Sequence, residues 1–360
     1  MINRALIDVF SEIAREKNVE RSELGSIIEQ LFLHLIERER GDSSNCSVIV
    51  NLDKGELEIY AEREIVDDLM DPVLEITLQD ALKMAPGESF DIGDVFVEVI
   101  DPAIFGRRLV ISGMHIHVGV PDNELRIDLM NQISYFLPHL LALSTSSPFW
   151  RGELTGLKSY RVSIFDELPR TGLPEEFDSY DEYKRHIKIL VNSGILEDPS
   201  TIWWDLRPNV KFPTLEMRLC DTCTSLNDAI SIAALYLCII HMACRLRREN
   251  KRWRVYSKML INENRWRAQR YGTEKSLVDF GKSKLVSYKK LADELIDLVK
   301  KDSKLLNCES EIKKIKNICK VGTSADKQIK IFKEEMKKSN NKKLALDKVL
   351  KFLVKETINF

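Results

Sequence analysis

The stretch IWWDLRPNVKFPTLEMRLCD at residues 202–221 decides the fold of the larger part of this chain. Its apolar runs at 203–206 and 214–219 predict two neighbouring strands. Within the second run, Glu216 and Arg218 stand two residues apart. Both side chains would therefore lie on one face of a strand, with apolar side chains on the other. The stretch predicts a sheet that presents a carboxylate beside a guanidinium.

Two interpretations of Glu216 and Arg218 are open at this point. Burial of two charges is costly unless each has a partner, and a structural ion pair at a sheet edge would provide one. Alternatively, Glu216 holds Mg²⁺ while the Arg218 guanidinium neutralises charge that develops on a phosphate. The residue types and their spacing favour neither.

A second strand-like motif, GMHIHVG at residues 113–119, carries two histidines. His115 and His117 are two residues apart, which places both imidazoles on the same face of a strand. Imidazoles on one face can bind a metal or the phosphates of a nucleotide. Histidines packed in a core or held by hydrogen bonds are the alternative.

Three further arginines are candidates for binding an anionic ligand. Arg161 and Arg207 stand in apolar or aromatic sequence, where a guanidinium suits bidentate recognition of a carboxylate or phosphate. An arginine stacked on an aromatic ring at the surface is the alternative. Arg267 lies in the basic run 264–271, where it would face a polyphosphate or solvent.

The net charge of −2 hides a division of the chain into two parts. Residues 1–106 contain 9 Lys and Arg against 24 Asp and Glu, a net charge of −15, whereas the remainder has a net charge of +13. Parts with such different charge are expected to have different partners. From residue 281 onward, the sequence is lysine-rich with a helical pattern, which a solvated helical face would explain.

Composition also excludes several classes of protein. No run of about 18 uninterrupted apolar residues is present, so a membrane-spanning helix is not expected. The first residues lack the pattern of a secretory signal peptide. Seven cysteines at irregular spacing predict reduced thiols in the cytoplasm. For the C-x-x-C pair of Cys220 and Cys223, packing after a strand is favoured over metal or redox chemistry.

The remaining pattern predicts an α+β fold. In the first part, the expected elements are helices at 3–16, 21–38 and 78–84, a hairpin that joins 47–52 to 56–61, and a strand at 94–100. In the second part, the expected helices lie at 127–143, 179–193 and 226–246. The first of these contains Pro138, which should kink it.

Residues 2–108 resemble the N-terminal domain of the transcription termination and antitermination factor NusA. The resemblance rests on ALIDVFSEIAREKNVERSELGSIIEQ, VNLDKGELEIYAEREIVDD, EITLQDALKMAPGESFDIGDVFVEV and FGRR at 105–108. It implies a small acidic α/β module over residues 1–108 that docks on RNA polymerase. From the residues alone, this segment is an acidic module of unknown partner.

Residues 107–360 resemble the carboxylate–amine ligases of the glutamate–cysteine ligase type 2 family. The resemblance rests on RRLVISGMHIHVGVPD, LALSTSSPFWRGELTGLKSYRVSIFDELPRTGLP, IWWDLRPNVKFPTLEMRLCD and ENRWRAQRYG, in this order. It implies a ligase domain over residues 109–360, with a partial glutamine-synthetase-like antiparallel sheet and helices. It also implies ATP and Mg²⁺, which convert a carboxylate to an acyl phosphate that an amine attacks.

The ligase resemblance implies roles for Glu216, Arg218, Arg161 and His115, whereas Arg207, His117 and Arg267 are candidates from their residue types and sequence context. Glu216 corresponds to the strand glutamate that coordinates Mg²⁺, and Arg218 to the arginine that stabilises the transferring phosphoryl group. The side chains expected to bind the acidic substrate are Arg161 and Arg207. The side chains expected near the ATP phosphates are His115, His117 and Arg267.

One departure from the family pattern concerns its first strand. Family members carry further metal-binding glutamates there, often as G-x-E-x-E, and in this chain the NusA-like segment stands in that place. Residues 55–58 have the same spacing, but an acidic hairpin is expected within the NusA-like match anyway.

Three hypotheses therefore remain open. The chain is an ATP-dependent ligase acting on small-molecule carboxylate and amine substrates, inactive if the first strand is essential. Alternatively, it is a module that binds RNA polymerase, or an accidental fusion of two genes with neither full activity. The amine substrate is not identified, and a homo-oligomer is compatible with the sequence.

Overall fold

The computed structural model describes Ile7 and residues 20–102, 111–196 and 198–358. The chain divides into two compact units, residues 1–111 and 112–360. The helix expected at 3–16, apart from Ile7, and the boundary expected at residue 108 lie outside the described residues. Both therefore stay predictions.

The first unit is a four-stranded sheet packed against a long helix, α1 (Arg21–Arg40). The other elements are, in chain order, β1 (Cys46–Asn51), β2 (Glu56–Val66), β3 (Glu75–Thr77), α2 (Leu78–Met84) and β4 (Val95–Ile100). Strand β2 pairs antiparallel with β1 and β4 and parallel with β3. The helices expected at 21–38 and 78–84 and the strand expected at 94–100 are confirmed.

The hairpin between β1 and β2 forms as the sequence predicts. Asn51 accepts hydrogen bonds through Oδ1 from the backbone N–H groups of Asp53 and Lys54. Gly55 then takes a positive φ of 68°. A side-chain cap followed by a left-handed glycine is a common way to close a tight turn between strands.

The second unit is mostly helical. Its first elements are β5 (Ile116–Gly119), α3 (Asn123–Ile133), a 3₁₀ turn (Ser134–Phe136), α4 (Leu137–Ser144), β6 (Phe149–Trp150), β7 (Glu153–Leu154), α5 (Tyr160–Asp166), β8 (Thr171–Gly172) and α6 (Tyr180–Asn192). A second 3₁₀ turn (Pro199–Thr201) is followed by β9 (Trp203–Trp204), β10 (Leu206–Pro208), β11 (Thr214–Met217), α7 (Leu226–Arg248), α8 (Lys258–Tyr271), β12 (Ser276–Asp279) and β13 (Lys284–Ser287). The last helices are α9 (Tyr288–Leu298), α10 (Lys300–Leu305), α11 (Glu309–Val321), α12 (Ser324–Ser339) and α13 (Lys342–Ile358).

A three-stranded antiparallel sheet, β10–β11–β5, positions the candidate site. In its register Arg207 stands opposite Glu216, and Glu216 stands opposite His117. Leu215 and Met217 point to the other face and are fully buried. The alternation predicted for 214–219, and the antiparallel sheet with helices predicted for the second unit, are confirmed. The single strand predicted at 203–206 is wrong, because β9 pairs with β8 in another sheet and β10 begins at Leu206. Among the described strands, β10 and β5 are the two edges of the three-stranded sheet.

Helix α7 is a central part of the core of the second unit. Its length and apolar composition would suffice to cross a membrane, and no other helix in the described ranges meets that condition. However, 56% of its apolar window is buried within the protein, as in core helices of soluble proteins. Tyr236 of α7 also donates a hydrogen bond to the backbone carbonyl of Leu215, which ties the helix to β11.

The sequence predicts the wrong structure for residues 127–143. The pattern at 127–143 predicts a single helix kinked at Pro138, but the structure has α3, a 3₁₀ turn and α4 in this region. Pro138 lies in the first turn of α4, where a missing N–H and a fixed φ are well tolerated. The proline therefore starts a helix instead of kinking one.

Candidate active site

The side chains of Glu216, Arg207 and Arg218 meet on one face of the sheet. Glu216 is 2% exposed, and its two carboxylate oxygens have different partners. Arg218 donates from Nη1 to Oε1 at 2.6 Å, and Arg207 donates from Nε to Oε2 at 3.0 Å. Asn209 also donates to Oε2, from Nδ2 at 3.0 Å. These hydrogen bonds meet the condition for burying a charge.

His117 in β5 and His115, which directly precedes that strand, both approach the same carboxylate. His115 Nδ1 lies 3.6 Å and His117 Nε2 lies 3.8 Å from Oε1 of Glu216. Their side chains are 37% and 38% exposed, so they form the open side of the site. The shared face predicted for the pair is present. Glu216, Arg207, Arg218, His115 and His117 together are the Glu216 cluster.

The electrostatics of the cluster keep Glu216 ionised and His115 neutral. Burial raises the pKa of Glu216, but the hydrogen bond from Asn209 and the charges of Arg207 and Arg218 outweigh it and bring the pKa to about 2. Burial and the positive charge of Arg218 lower the pKa of His115 to about 4, although Glu216 opposes them. At neutral pH the cluster therefore holds one anion, two guanidinium cations and a neutral His115 imidazole.

Arg161 lies against the end of β11 and contacts backbone. Nη1 donates to the carbonyl of Leu219 at 3.0 Å, and Nη2 donates to the carbonyl of Arg218 at 3.2 Å. Its side chain is 7% exposed. The expected role of Arg161 in binding substrate stays a prediction. Its contacts fix the backbone that carries Arg218.

Gly113 lies on the Arg161 guanidinium, and a side chain there should destabilise the second unit. A Cβ at Gly113 would stand 2.0 Å from Nη2 of Arg161, which hydrogen bonds hold in place. We expect Gly113→Ala to lower the free energy of unfolding by about 2–3 kcal/mol, the cost of breaking hydrogen bonds of a buried charged group. Urea unfolding followed by tryptophan fluorescence measures the free energy of unfolding of the second unit, because all five tryptophans lie in that unit.

The control for the Gly113 variant is Gly119→Ala, where a Cβ meets nothing within 4 Å. Equal unfolding midpoints for the two variants would contradict this expectation.

Arg267 makes its contacts away from the Glu216 cluster. Nε donates to the carbonyl of Ser276 at 2.8 Å, and Nη1 lies 3.9 Å from the carboxylate of Glu263. The guanidinium also lies 5.6 Å from the centre of the Tyr271 ring. The role of Arg267 near the ATP phosphates stays a prediction.

The sequence predicts that Arg265, like Arg267, faces a polyphosphate or solvent. This prediction is wrong, because the structure buries Arg265 in ion pairs that fix the strand carrying Arg207. The Arg265 side chain is 9% exposed and donates from Nε to Asp205 at 2.7 Å. Its two Nη atoms each donate to Asp166 at 2.7 Å. Asp205 directly precedes β10, so its ion pair with Arg265 fixes the start of that strand. The sequence did contain a signal for this ion pair. Asp205 stands within an apolar run, and an aspartate needs a partner when it is buried.

The described residues do not by themselves fit a Mg²⁺ site. They contain no group of three or more His, Cys, Asp and Glu side chains that could hold a metal ion. In the Glu216 cluster, the single carboxylate already serves Arg207 and Arg218, whereas Mg²⁺ requires near-octahedral oxygen ligands. The assignment of Mg²⁺ to Glu216 therefore stays a prediction, and the chemistry that the described cluster can supply rests on its guanidiniums.

Comparison with known proteins identifies the family. The model of glutamate–cysteine ligase family 2 matches residues 101–344, which is more than half of the chain. The chain belongs to this family. A candidate glutamate–cysteine ligase 2 of Rhodospirillum rubrum is 50% identical over 277 residues, which cover 77% of this chain and 70% of the relative. A relative of the same description from Jannaschia sp. is 50% identical over 250 residues, which cover 69% of this chain and 66% of the relative. A third, from Ruegeria pomeroyi, is covered over 60% of its length.

The N-terminal part of this family member matches a second model, that of the NusA N-terminal domain, over residues 5–116. Both resemblances seen in the sequence are thus confirmed. The solution structure of the NusA N-terminal domain from B. subtilis is 26% identical, covers 29% of this chain and 83% of its own, and gives a TM-score of 0.22. A glutamate–cysteine ligase from Francisella tularensis in complex with AMP is 12% identical, covers 85% and 65%, and gives a TM-score of 0.43. The assignment rests on the family models and the relatives.

Proposed function

We propose that the chain is an ATP-dependent carboxylate–amine ligase of the glutamate–cysteine ligase type, with phosphoryl transfer at the Glu216 cluster. The observation that carries this proposal is the pair of guanidiniums, Arg207 and Arg218, fixed around one buried carboxylate. Phosphoryl transfer depends on positioning and charge neutralisation more than on a protein nucleophile. Guanidiniums that hydrogen bonds hold in place behind the open, histidine side of the site would supply both.

An unpartnered donor supports the same proposal. The Nε atom of Arg218 is buried and has no hydrogen-bond partner among the described residues. A buried donor without a partner is costly, and a phosphate oxygen that accepts from it would remove that cost. Neutral His115, whose Nδ1 lies 3.6 Å from Glu216, can donate a further hydrogen bond through one ring nitrogen.

The proposed reaction has two steps. A substrate carboxylate oxygen attacks the γ-phosphorus of ATP while the bond to the bridging oxygen of ADP breaks, which gives an acyl phosphate and ADP. The amine then attacks the acyl carbon, phosphate leaves, and the amine loses a proton. Arg218 and Arg207 would neutralise the charge that spreads over the phosphoryl oxygens in the first step.

Turnover by the purified full-length chain tests this proposal. With glutamate, cysteine, ATP and Mg²⁺, and then with a panel of other acids and amines, we expect ADP release that requires both an acid and an amine. ATP binding without ADP release across the panel would contradict the proposed activity. It would instead support the inactive alternative, in which the family's first metal-binding strand is indispensable.

A second candidate function, docking on RNA polymerase, is favoured by the outer face of β4. Val95, Val97 and Val99 are 51–70% exposed on that face, although valine is usually buried. Across the strand pair, Val95 stands opposite Glu64 and Val97 opposite Glu62, both exposed. An apolar stripe beside acidic side chains fits a partner with a basic, partly apolar surface.

A cytoplasmic location, which both proposals need, agrees with the seven free cysteines.

Co-purification with core RNA polymerase tests the docking function. We expect the full-length chain to bind at low salt and to lose affinity as salt increases, because acidic side chains contribute to the contact. Val97→Glu should weaken binding, since it places a charge in the apolar stripe. Val321→Glu, at a valine of α11 that is 52% exposed, is the matched control. No binding at low salt would contradict this function.

A further inference from the structure

Helix α13 is apolar on two opposite faces. Its inner face packs against α12, and Ala345 and Val349 on that face are buried. Leu350, Val354 and Ile358 recur every four residues on the opposite face and are 61–65% exposed. Leucine, valine and isoleucine are usually buried, so this row of three, here called the outer ridge, indicates a partner for the second face.

Ion pairs fix the orientation of α13 on the second unit. Glu356 pairs with Lys327 of α12 at 3.0 Å, and Lys348 pairs with Glu335 of the same helix. Lys342, the first residue of α13, pairs with the glutamate of β7. Because these contacts hold the inner face against the rest of the unit, the outer ridge points away from it.

Exposed lysines accompany the outer ridge along α13. Lys351 pairs with Asp347 at 2.6 Å, which neutralises the one carboxylate of this helix on the outer side. Lys343 and Lys355 are exposed, and within the described part of the chain they form no ion pair. Helices α12 and α13 together contain ten lysines against five Asp and Glu, a net charge of +5. The surface that carries the ridge is therefore cationic.

The combination of an apolar ridge with cations favours one class of partner. A second copy of the chain would bring the lysines of two α13 helices together, and like charges across an interface are unfavourable. A nucleic acid would attract the lysines, but its phosphate backbone offers no apolar surface to the ridge. An anionic lipid bilayer accepts both, because its headgroups attract lysines and its acyl chains accept apolar side chains.

We propose that the outer ridge of α13 docks on an anionic lipid bilayer. Leu350, Val354 and Ile358 would enter the boundary between headgroups and acyl chains, while Lys343 and Lys355 contact lipid phosphates. The helix would lie in the plane of the surface without crossing it, because its inner face stays packed on α12. All but the first three residues of α13 lie beyond residue 344, where the match to the ligase family ends. The docking is therefore independent of the ligase function.

Co-sedimentation of the full-length chain with lipid vesicles tests the docking. We expect binding to vesicles of equal parts phosphatidylcholine and phosphatidylglycerol that weakens as salt increases, and much weaker binding to phosphatidylcholine alone. Lys355→Ala should weaken binding to the anionic vesicles about fivefold, the usual contribution of one lysine near such a surface. The control is Lys290→Ala, at an exposed lysine of α9, which should leave binding unchanged.

A second pair of variants tests the apolar part of the contact. Leu350→Glu should weaken vesicle binding about tenfold or more, because it removes an apolar side chain from the bilayer and adds a charge that the lipids repel. Leu305→Glu, in α10, is the matched control, since both leucines are 61% exposed. Exposed positions tolerate substitution, so neither variant should shift the urea midpoint of unfolding.

Four outcomes would overturn the docking on a bilayer. The first is no binding to the anionic vesicles at low salt, and the second is equal binding by Leu350→Glu and Leu305→Glu. The third is self-association of the original chain that Leu350→Glu abolishes, which would assign the ridge to a second copy. The fourth is binding to duplex DNA, without binding to vesicles, that Lys355→Ala weakens and Leu350→Glu does not.

Discussion

Replacing Arg218 with alanine is expected to lower kcat/KM for acid- and amine-dependent ADP release by about 10²–10³-fold, the usual effect of removing one fixed donor from a developing anion. Arg218 contributes the 2.6 Å contact to Glu216 and a buried, unpartnered Nε–H at the same time. Its removal therefore takes both a charge and a free donor from the proposed position of the phosphoryl group. Steady-state ADP release with the best acid and amine of the panel measures the effect.

Two further variants make the Arg218 result specific. Arg218→Lys keeps the charge but not the planar fork of donors, so we expect a smaller but clear loss of kcat/KM. Arg248→Ala removes an exposed arginine at the end of α7 and should leave turnover unchanged. Turnover by Arg218→Ala equal to that of the Arg248 control would show that phosphoryl transfer occurs elsewhere.

The second large effect is expected in stability, on replacing Glu216 with glutamine. Glu216→Gln keeps the size of the side chain but leaves Arg207 and Arg218 without their counter-charge in a buried setting. Breaking such a buried pair typically costs about 3–5 kcal/mol. Urea unfolding at pH 7, followed by tryptophan fluorescence, measures the loss for the second unit.

The same variant should change how stability depends on pH. The pKa of Glu216 is lowered in the folded chain from 4.5 to about 2. The ionised carboxylate therefore contributes its full stabilisation above pH 4.5, and this contribution is lost as the pH falls towards 2. Glu216→Gln should lack that part of the decline, whereas Glu334→Gln, at an exposed site on α12, should retain it. Parallel pH profiles for the original chain and Glu216→Gln would contradict the low pKa.

The sequence was sufficient to predict the shared faces of the sheet. Alternation along 214–219 placed Glu216 with Arg218, and the spacing of His115 and His117 placed both on one side of β5. These predictions depend only on the period of a strand, which neighbouring residues determine. The β1–β2 hairpin was predictable for the same reason, because its turn residues are local.

The same reasoning could not predict contacts between residues that are far apart in the sequence. Arg161 is joined to carbonyls 57 and 58 positions away, and Arg265 to an aspartate 60 positions away. No local pattern specifies which buried cation meets which buried acceptor. The prediction of a kink at Pro138 was wrong for a different reason. A proline suits the first turn of a helix as well as it kinks the middle of one.

The hydrogen bonds around Glu216 imply that the proposed site carries its own counter-ion. Arg218 has an anionic partner at 2.6 Å through Nη1, so a phosphate that accepts from its unpartnered Nε would share a guanidinium whose charge Glu216 already balances. A resident counter-ion of this kind would favour highly charged ligands over singly charged anions.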